Sequence, residues 1–174
     1  MTTMHCIPPS VLHWLATVPT DAPVAMLLRH SVRGPLPENQ VGDHVPLTDD
    51  GVALARELGK VLGSRLKSLQ TSPVLRCVQT AEGLRTGADS SLELKTSDLL
   101  GDPGIYVVDP ARAWQNWLEV GHEAVVTHLA TRDQPLPGTA QPPEAARQLV
   151  QRMPSWWRSV ARRGASVLRA MASA

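Results

Sequence analysis

The sequence predicts an α/β domain with a largely parallel central sheet. Two observations lead there. Short apolar runs of strand length alternate with longer segments of helical period, in the order strand, helix, strand, helix, strand, then helices. The first apolar run, Val24-Ala25-Met26-Leu27-Leu28, stops abruptly in Arg29-His30-Ser31-Val32-Arg33-Gly34. Open α/β sheets place their ligands at such carboxyl strand ends.

The composition suits this class. Hydrophobic residues make up 43% and charged residues 19%, the balance of a packed globular chain rather than a disordered one. With 174 residues the chain is read as a single domain, 1–174, with a lead-in over 1–23 and an atypical basic tail over 154–174. There is no Phe and one Tyr, so aliphatic side chains must fill the core. The net charge of +1 argues against a nucleic-acid partner. No apolar run reaches membrane-spanning length, so no membrane partner is expected. The amino terminus has no basic segment followed by an apolar core, so no signal peptide is read there. The two cysteines, Cys6 and Cys77, make no disulfide framework. A cytoplasmic location is expected, and the oligomeric state is left open.

The lead-in is punctuated by Pro8, Pro9, Pro19 and Pro23, with a short helix over 11–16, capped by Ser10, that turns Val11, Leu15 and Trp14 inward. His5, Cys6 and His13 lie near one another, so a metal site is conceivable, but a dedicated site usually needs more ligands at regular spacing, and a mobile or packed segment is the favoured reading. A buried first strand covers 24–29. Residues 31–47 carry Gly34, Pro35, Pro37, Asn39, Gly42 and Pro46, which is loop chemistry over a length that suggests function.

Thr48 then caps a helix, and Asp49 and Asp50 favour the positive end of its dipole. Leu54, Leu58, Val61 and Leu62 form the expected core stripe, and Gly63 the stop. A second strand covers 66–71. Ser72 is the expected N-cap of the next helix, with Pro73 in its first turn. Val74, Cys77, Val78, Ala81 and Leu84 form the buried side of that helix. Arg76 falls in its first turn, near the carboxyl end of strand two, where helix amides and a guanidinium together favour an anion.

A third strand is expected over 92–95, a turn at 99–104, and one helix over 111–128. Trp114, Trp117, Leu118, Val125 and Leu129 would line the buried face of that helix. A Pro/Gly loop covers 133–143 and a helix 144–153. Beyond Ala145 there are six arginines and no Asp or Glu.

Arg29 and Arg33 are fixed cations with planar donor forks suited to phosphate. His30 between them is a candidate nucleophile, because neighbouring cations keep an imidazole neutral near pH 7.

Three linked motifs carry a resemblance: Arg29-His30, Leu47-Thr48-Asp49-Asp50-Gly51, and Ser72-Pro73-Val74-Leu75-Arg76-Cys77-Val78-Gln79-Thr80-Ala81. In order and spacing they resemble the histidine phosphatase superfamily, also called the phosphoglycerate mutase-like fold. The similarity is clearest over 24–86. It implies a three-layer sandwich with a mainly parallel central sheet flanked by helices. It also implies a phosphatase acting on a phosphorylated small molecule or phosphoprotein through a phosphohistidine, with no metal or cofactor.

By motif position, His30 would be the nucleophile, and Arg29 and Arg76 would complete the catalytic set. Arg33 resembles a further Arg of the acid-phosphatase-like branch, whose motif runs Arg-His-Gly-x-Arg-x-Pro. Arg33, Ser31 and His128 are the expected substrate-binding residues. Asp102, Glu119 and Glu123 are available as leaving-group acids.

The chain departs from the family pattern twice. Ser31 stands where the motif has Gly. The family's late strand, ending in His-Gly or His-Asp, is due after the 144–153 helix, yet no His follows His128. Val125-Val126-Thr127-His128 mimics that motif earlier in the chain. The acid-free ending is read as an incomplete or altered carboxyl terminus, with Val167 to Ala170 as a substitute strand that brings Arg169 toward the site. The alternative function is a catalytically impaired phosphate-binding domain of the same fold.

Overall fold

The computed structural model describes residues 6–22, 24–37, 42–101, 103–132, 134–161 and 168–173. Its elements are α1 (Pro9–Thr17), β1 (Val24–Arg29), α2 (Asp49–Leu62), β2 (Leu66–Thr71), α3 (Leu75–Gly87), β3 (Leu94–Thr96), α4 (Pro110–Val120), α5 (His122–Thr131), α6 (Pro142–Ala161) and β4 (Leu168–Ser173). The strands form one sheet in the order β1-β4-β2-β3, and every neighbouring pair is parallel. This is the expected α/β class.

The core joins the helices to one face of the sheet. Leu15 and Val18 beside α1, Met26 of β1, Leu62 of α2, Leu66 and Leu69 of β2, and Leu84 of α3 make one buried cluster. Arg65 closes the lead-in onto it, donating to the carbonyls of Leu15 (2.9 Å) and Val18 (3.1 Å).

Strand one is less buried than an unbroken apolar run suggests. Met26 is in the core, but Leu27 is 50% exposed. The reason is position: β1 stands at the end of the sheet order, with β4 on one side.

α2 starts as expected, with Thr48 Oγ1 accepting from the Gly51 amide at 3.1 Å. Its buried side differs from the Leu stripe. Gly51, Ala55, Gly59 and Leu62 are buried, while Val61 is exposed. Small residues win because α2 packs backbone to backbone on α3. A Cβ on Gly59 would meet the Leu84 carbonyl oxygen at 2.3 Å, and one on Gly87 would meet the Arg56 carbonyl oxygen at 1.9 Å.

The N-cap of α3 is Val74, not Ser72; the Ser72 hydroxyl accepts from the Val74 amide at 3.2 Å, one turn outside the helix. Strand three begins at Leu94 rather than 92.

The single helix expected over 111–128 is two. Gly121, at φ +81°, breaks it into α4 and α5, a conformation that costs glycine little. Of the expected stripe, only Val125 is fully buried. Ala113, Asn116 and Val125 are buried, and Leu118 is exposed. α6 runs to Ala161, well past the expected end at 153. No described helix is long and apolar enough to cross a membrane.

β4 takes the substitute-strand place beside β1, over Leu168–Ser173. Its register corrects one expectation. Arg169 pairs with Ala25 and Ser68, near the amino ends of the neighbouring strands, and it is Ser173 that stands opposite Arg29.

Candidate active site

The site is built at the carboxyl end of β1. The strand ends at Arg29, and His30 follows without secondary structure of its own. His30 Nδ1 lies 2.8 Å from the carbonyl oxygen of Ser31. A carbonyl only accepts, so Nδ1 carries the proton and the Nε2 lone pair is left available. Burial, followed by the charges of Arg76, Arg29 and Arg33, pushes the pKa of His30 below the usual imidazole value, against an opposing pull from the Ser31 carbonyl. The ring is therefore neutral near pH 7.

The three guanidiniums come from three places. Arg29 ends β1 and is exposed. Arg33 sits in the following loop, bridged antiparallel to Leu47, with one Nη donating to the Gly34 carbonyl at 2.7 Å. Arg76 lies in the first turn of α3, 8% exposed, with Nη1 donating to the Gly42 carbonyl at 2.9 Å. Its buried Nε has no hydrogen-bond partner among the described residues. Burial first, and then the charges of Arg76 and Arg29, push the pKa of Arg33 below its usual value. Such a cluster favours a multiply charged anion.

The loop between β1 and α2 is pinned to both helices. The Thr48 amide donates to the Val32 carbonyl at 3.0 Å, with the Thr48 hydroxyl on the same oxygen at 3.3 Å. Gln79 Oε1 of α3 accepts the Leu47 amide at 2.8 Å. Thr80 Oγ1, also on α3, accepts the Ser31 amide at 3.0 Å and donates to the Arg76 carbonyl at 2.7 Å. These strand-end and helix-start motifs are thus one connected structure.

The model of the histidine phosphatase superfamily (branch 1) matches residues 26–170. The chain belongs to this superfamily. Among solved structures, it is similar to a phosphoglycerate mutase from Bacillus anthracis, with TM-score 0.57 and 15% identity over 88% of this chain and 76% of that one. It is also similar to the α-ribazole phosphatase from Shigella flexneri, with TM-score 0.53 and 14% identity over 86% and 72%. A mycobacterial glucosyl-3-phosphoglycerate phosphatase gives TM-score 0.52 and 17% identity over 84% and 72%. At these identities the likeness is one of fold. No curated protein matches the chain in sequence.

As a member of this superfamily, the chain brings four of the expected residues to the end of β1: His30, Arg29, Arg33 and Arg76. Ser31 is beside them, but its amide is engaged by Thr80 and its hydroxyl is buried without a partner among the described residues. His128 is not gathered with this cluster. It lies on α5, where Nε2 is 2.8 Å from the Gln134 carbonyl, and it lines an open cleft with Glu123, Thr127 and Arg132. Glu119 and Glu123 are exposed on α4 and α5, and Asp102 lies outside the described residues. Sequence reasoning gave no role to Gln79 and Thr80. The available signal was their spacing: both lie about one turn beyond Arg76, which sets them near it on the same helix.

Proposed function

We propose that this histidine phosphatase hydrolyses a phosphomonoester or phosphoprotein through a phosphohistidine on His30. The observation that carries the reading is a neutral, half-buried imidazole, with Nδ1 committed to Ser31, inside the field of three guanidiniums. In the first step the Nε2 lone pair attacks phosphorus in line. A P–N bond forms, the ester P–O bond breaks, and the leaving oxygen takes up a proton. In the second step water attacks phosphorus, the P–N bond breaks, and its electron pair returns to Nε2. Phosphate is released with loss of the water proton. Arg29, Arg33 and Arg76 bind the phosphoryl oxygens and stabilise their charge, which is most of what phosphoryl transfer requires.

Quenching in alkaline detergent after incubation with a radiolabelled phosphomonoester tests this. Acid-labile label is expected on the wild type and none on His30→Ala. Hydrolysis by His30→Ala at the wild-type rate would overturn the assignment.

One observation favours a second reading, an impaired phosphate-binding domain. Among the described residues, the charged groups that shift His30 are Arg76, Arg29 and Arg33, and a guanidinium does not hand a proton to a leaving group at neutral pH. On that reading phosphate or vanadate raises the melting temperature, with negligible turnover. Turnover typical of an enzyme, with kcat of about 1 per second or more, counts against it.

A further inference from the structure

We propose that Thr80 is a positioning residue, whose hydroxyl locks the peptide between His30 and Ser31 to the backbone of Arg76. The proposal rests on the reading of His30 as the nucleophile.

The bonding begins inside α3. Thr80 is one turn beyond Arg76, and its hydroxyl proton goes to the Arg76 carbonyl at 2.7 Å. Threonine commonly makes this bond one turn back along a helix. With its proton committed, the oxygen can only accept toward any further partner. The Ser31 amide meets it at 3.0 Å as the matching donor. Thr80 is 4% exposed, so water does not readily replace either bond.

That amide belongs to the peptide that leaves His30. Fixing its plane anchors the backbone that carries both the His30 side chain and the Ser31 residue on which the ring is held. The other side of Ser31 completes the chain, since its carbonyl receives Nδ1–H of His30 at 2.8 Å. Ser31 is therefore held at both ends, by α3 through its amide and by the imidazole through its carbonyl. The ring and the Arg76 backbone share one rigid frame, although they come from different ends of a strand–helix–strand–helix segment. Only the hydroxyl is needed for this; the Thr80 methyl group plays no part.

The test compares Thr80→Val, which keeps the shape and loses both bonds, with Thr80→Ser, which keeps the hydroxyl. Three quantities are read: the nitrogen NMR signature of the neutral His30 tautomer, the rate of phosphoenzyme formation, and hydrogen exchange at the Ser31 amide. Thr80→Val is expected to mix the two tautomers. It should slow phosphoenzyme formation by roughly ten- to a hundredfold, the usual scale for a misplaced reacting group, with KM little changed. Thr80→Ser should restore both. A Thr80→Val protein with the wild-type tautomer and phosphorylation rate overturns the proposal, and so does a Thr80→Ser protein as impaired as Thr80→Val. If Thr80→Val does not fold, the wild-type Ser31 amide decides, with protection supporting the proposal and free exchange overturning it. Absence of phosphohistidine in the wild type would sink the catalytic reading alone, because the tautomer and exchange measurements need no turnover.

Discussion

A Cβ on Gly51 would lie 2.1 Å from the carbonyl oxygen of Val32. That oxygen also receives the amide and the hydroxyl of Thr48, so the start of α2 and the Arg33 loop meet with no room for a methyl group. Gly51→Ala must push one of them away. We expect a loss of about 1–3 kcal/mol in stability, the usual range for overpacking, together with weaker phosphate binding. Denaturant unfolding and phosphate titration check both. An unchanged protein would mean that the two segments separate freely.

The α2–α3 seam makes a sharper contrast. Gly87→Ala places a methyl against the Arg56 carbonyl and should also cost about 1–3 kcal/mol. Gly34→Ala meets nothing within 4 Å and should leave stability within about 0.5 kcal/mol of the wild type. Equal effects of the two substitutions in a thermal melt would contradict this packing.

The pH dependence follows from His30. Its pKa is lowered in the folded protein by burial and by Arg76, Arg29 and Arg33, so the unfolded chain binds this proton more readily. Stability from this group is fully present above its unfolded value of 6.5 and is lost as pH falls from there through the folded value. An NMR titration should give a midpoint below 6.5 for the free protein and a higher one with phosphate bound, because the anion offsets the cations. A free-protein midpoint at or above 6.5 would refute the described environment.

Arg33 should trade stability against binding. It is crowded by Arg76 and Arg29, so Arg33→Met relieves repulsion in the free protein. Its melting temperature without phosphate should equal or exceed that of the wild type. With saturating phosphate the order should reverse, since a guanidinium contact has been lost. A variant that melts lower than the wild type without phosphate would show that repulsion is not the dominant effect there.

Much of this was legible from local chemistry. The run from Val24 to Arg29, the Thr48 cap and the Arg76 turn depend on neighbours within a few residues, and each is found where the sequence set it. What was not legible depends on partners distant in sequence. Val61 fits a helical stripe, yet it is exposed because glycines at 59, 83 and 87 decide which side of α2 meets α3. Leu118 is exposed, and the break at Gly121 was not legible because a glycine inside a helical period reads equally as interior or as stop. In the site, the arginines and His30 were legible from their motifs. Thr80 and Gln79 were not, since their value is a bond to a backbone amide many residues away.

β4 comes after every other element along the chain, yet it lies between β1 and β2. Within the sheet, β1 and β2 are joined only through it, so completing the sheet requires a loop closure across most of the chain. During synthesis, helices and the β2–β3 pair can form early, while β1 must stay unpaired until residues 168–173 emerge. Until then β1 presents an unpaired apolar edge, which is a place for misassembly during folding rather than a weakness of the finished sheet.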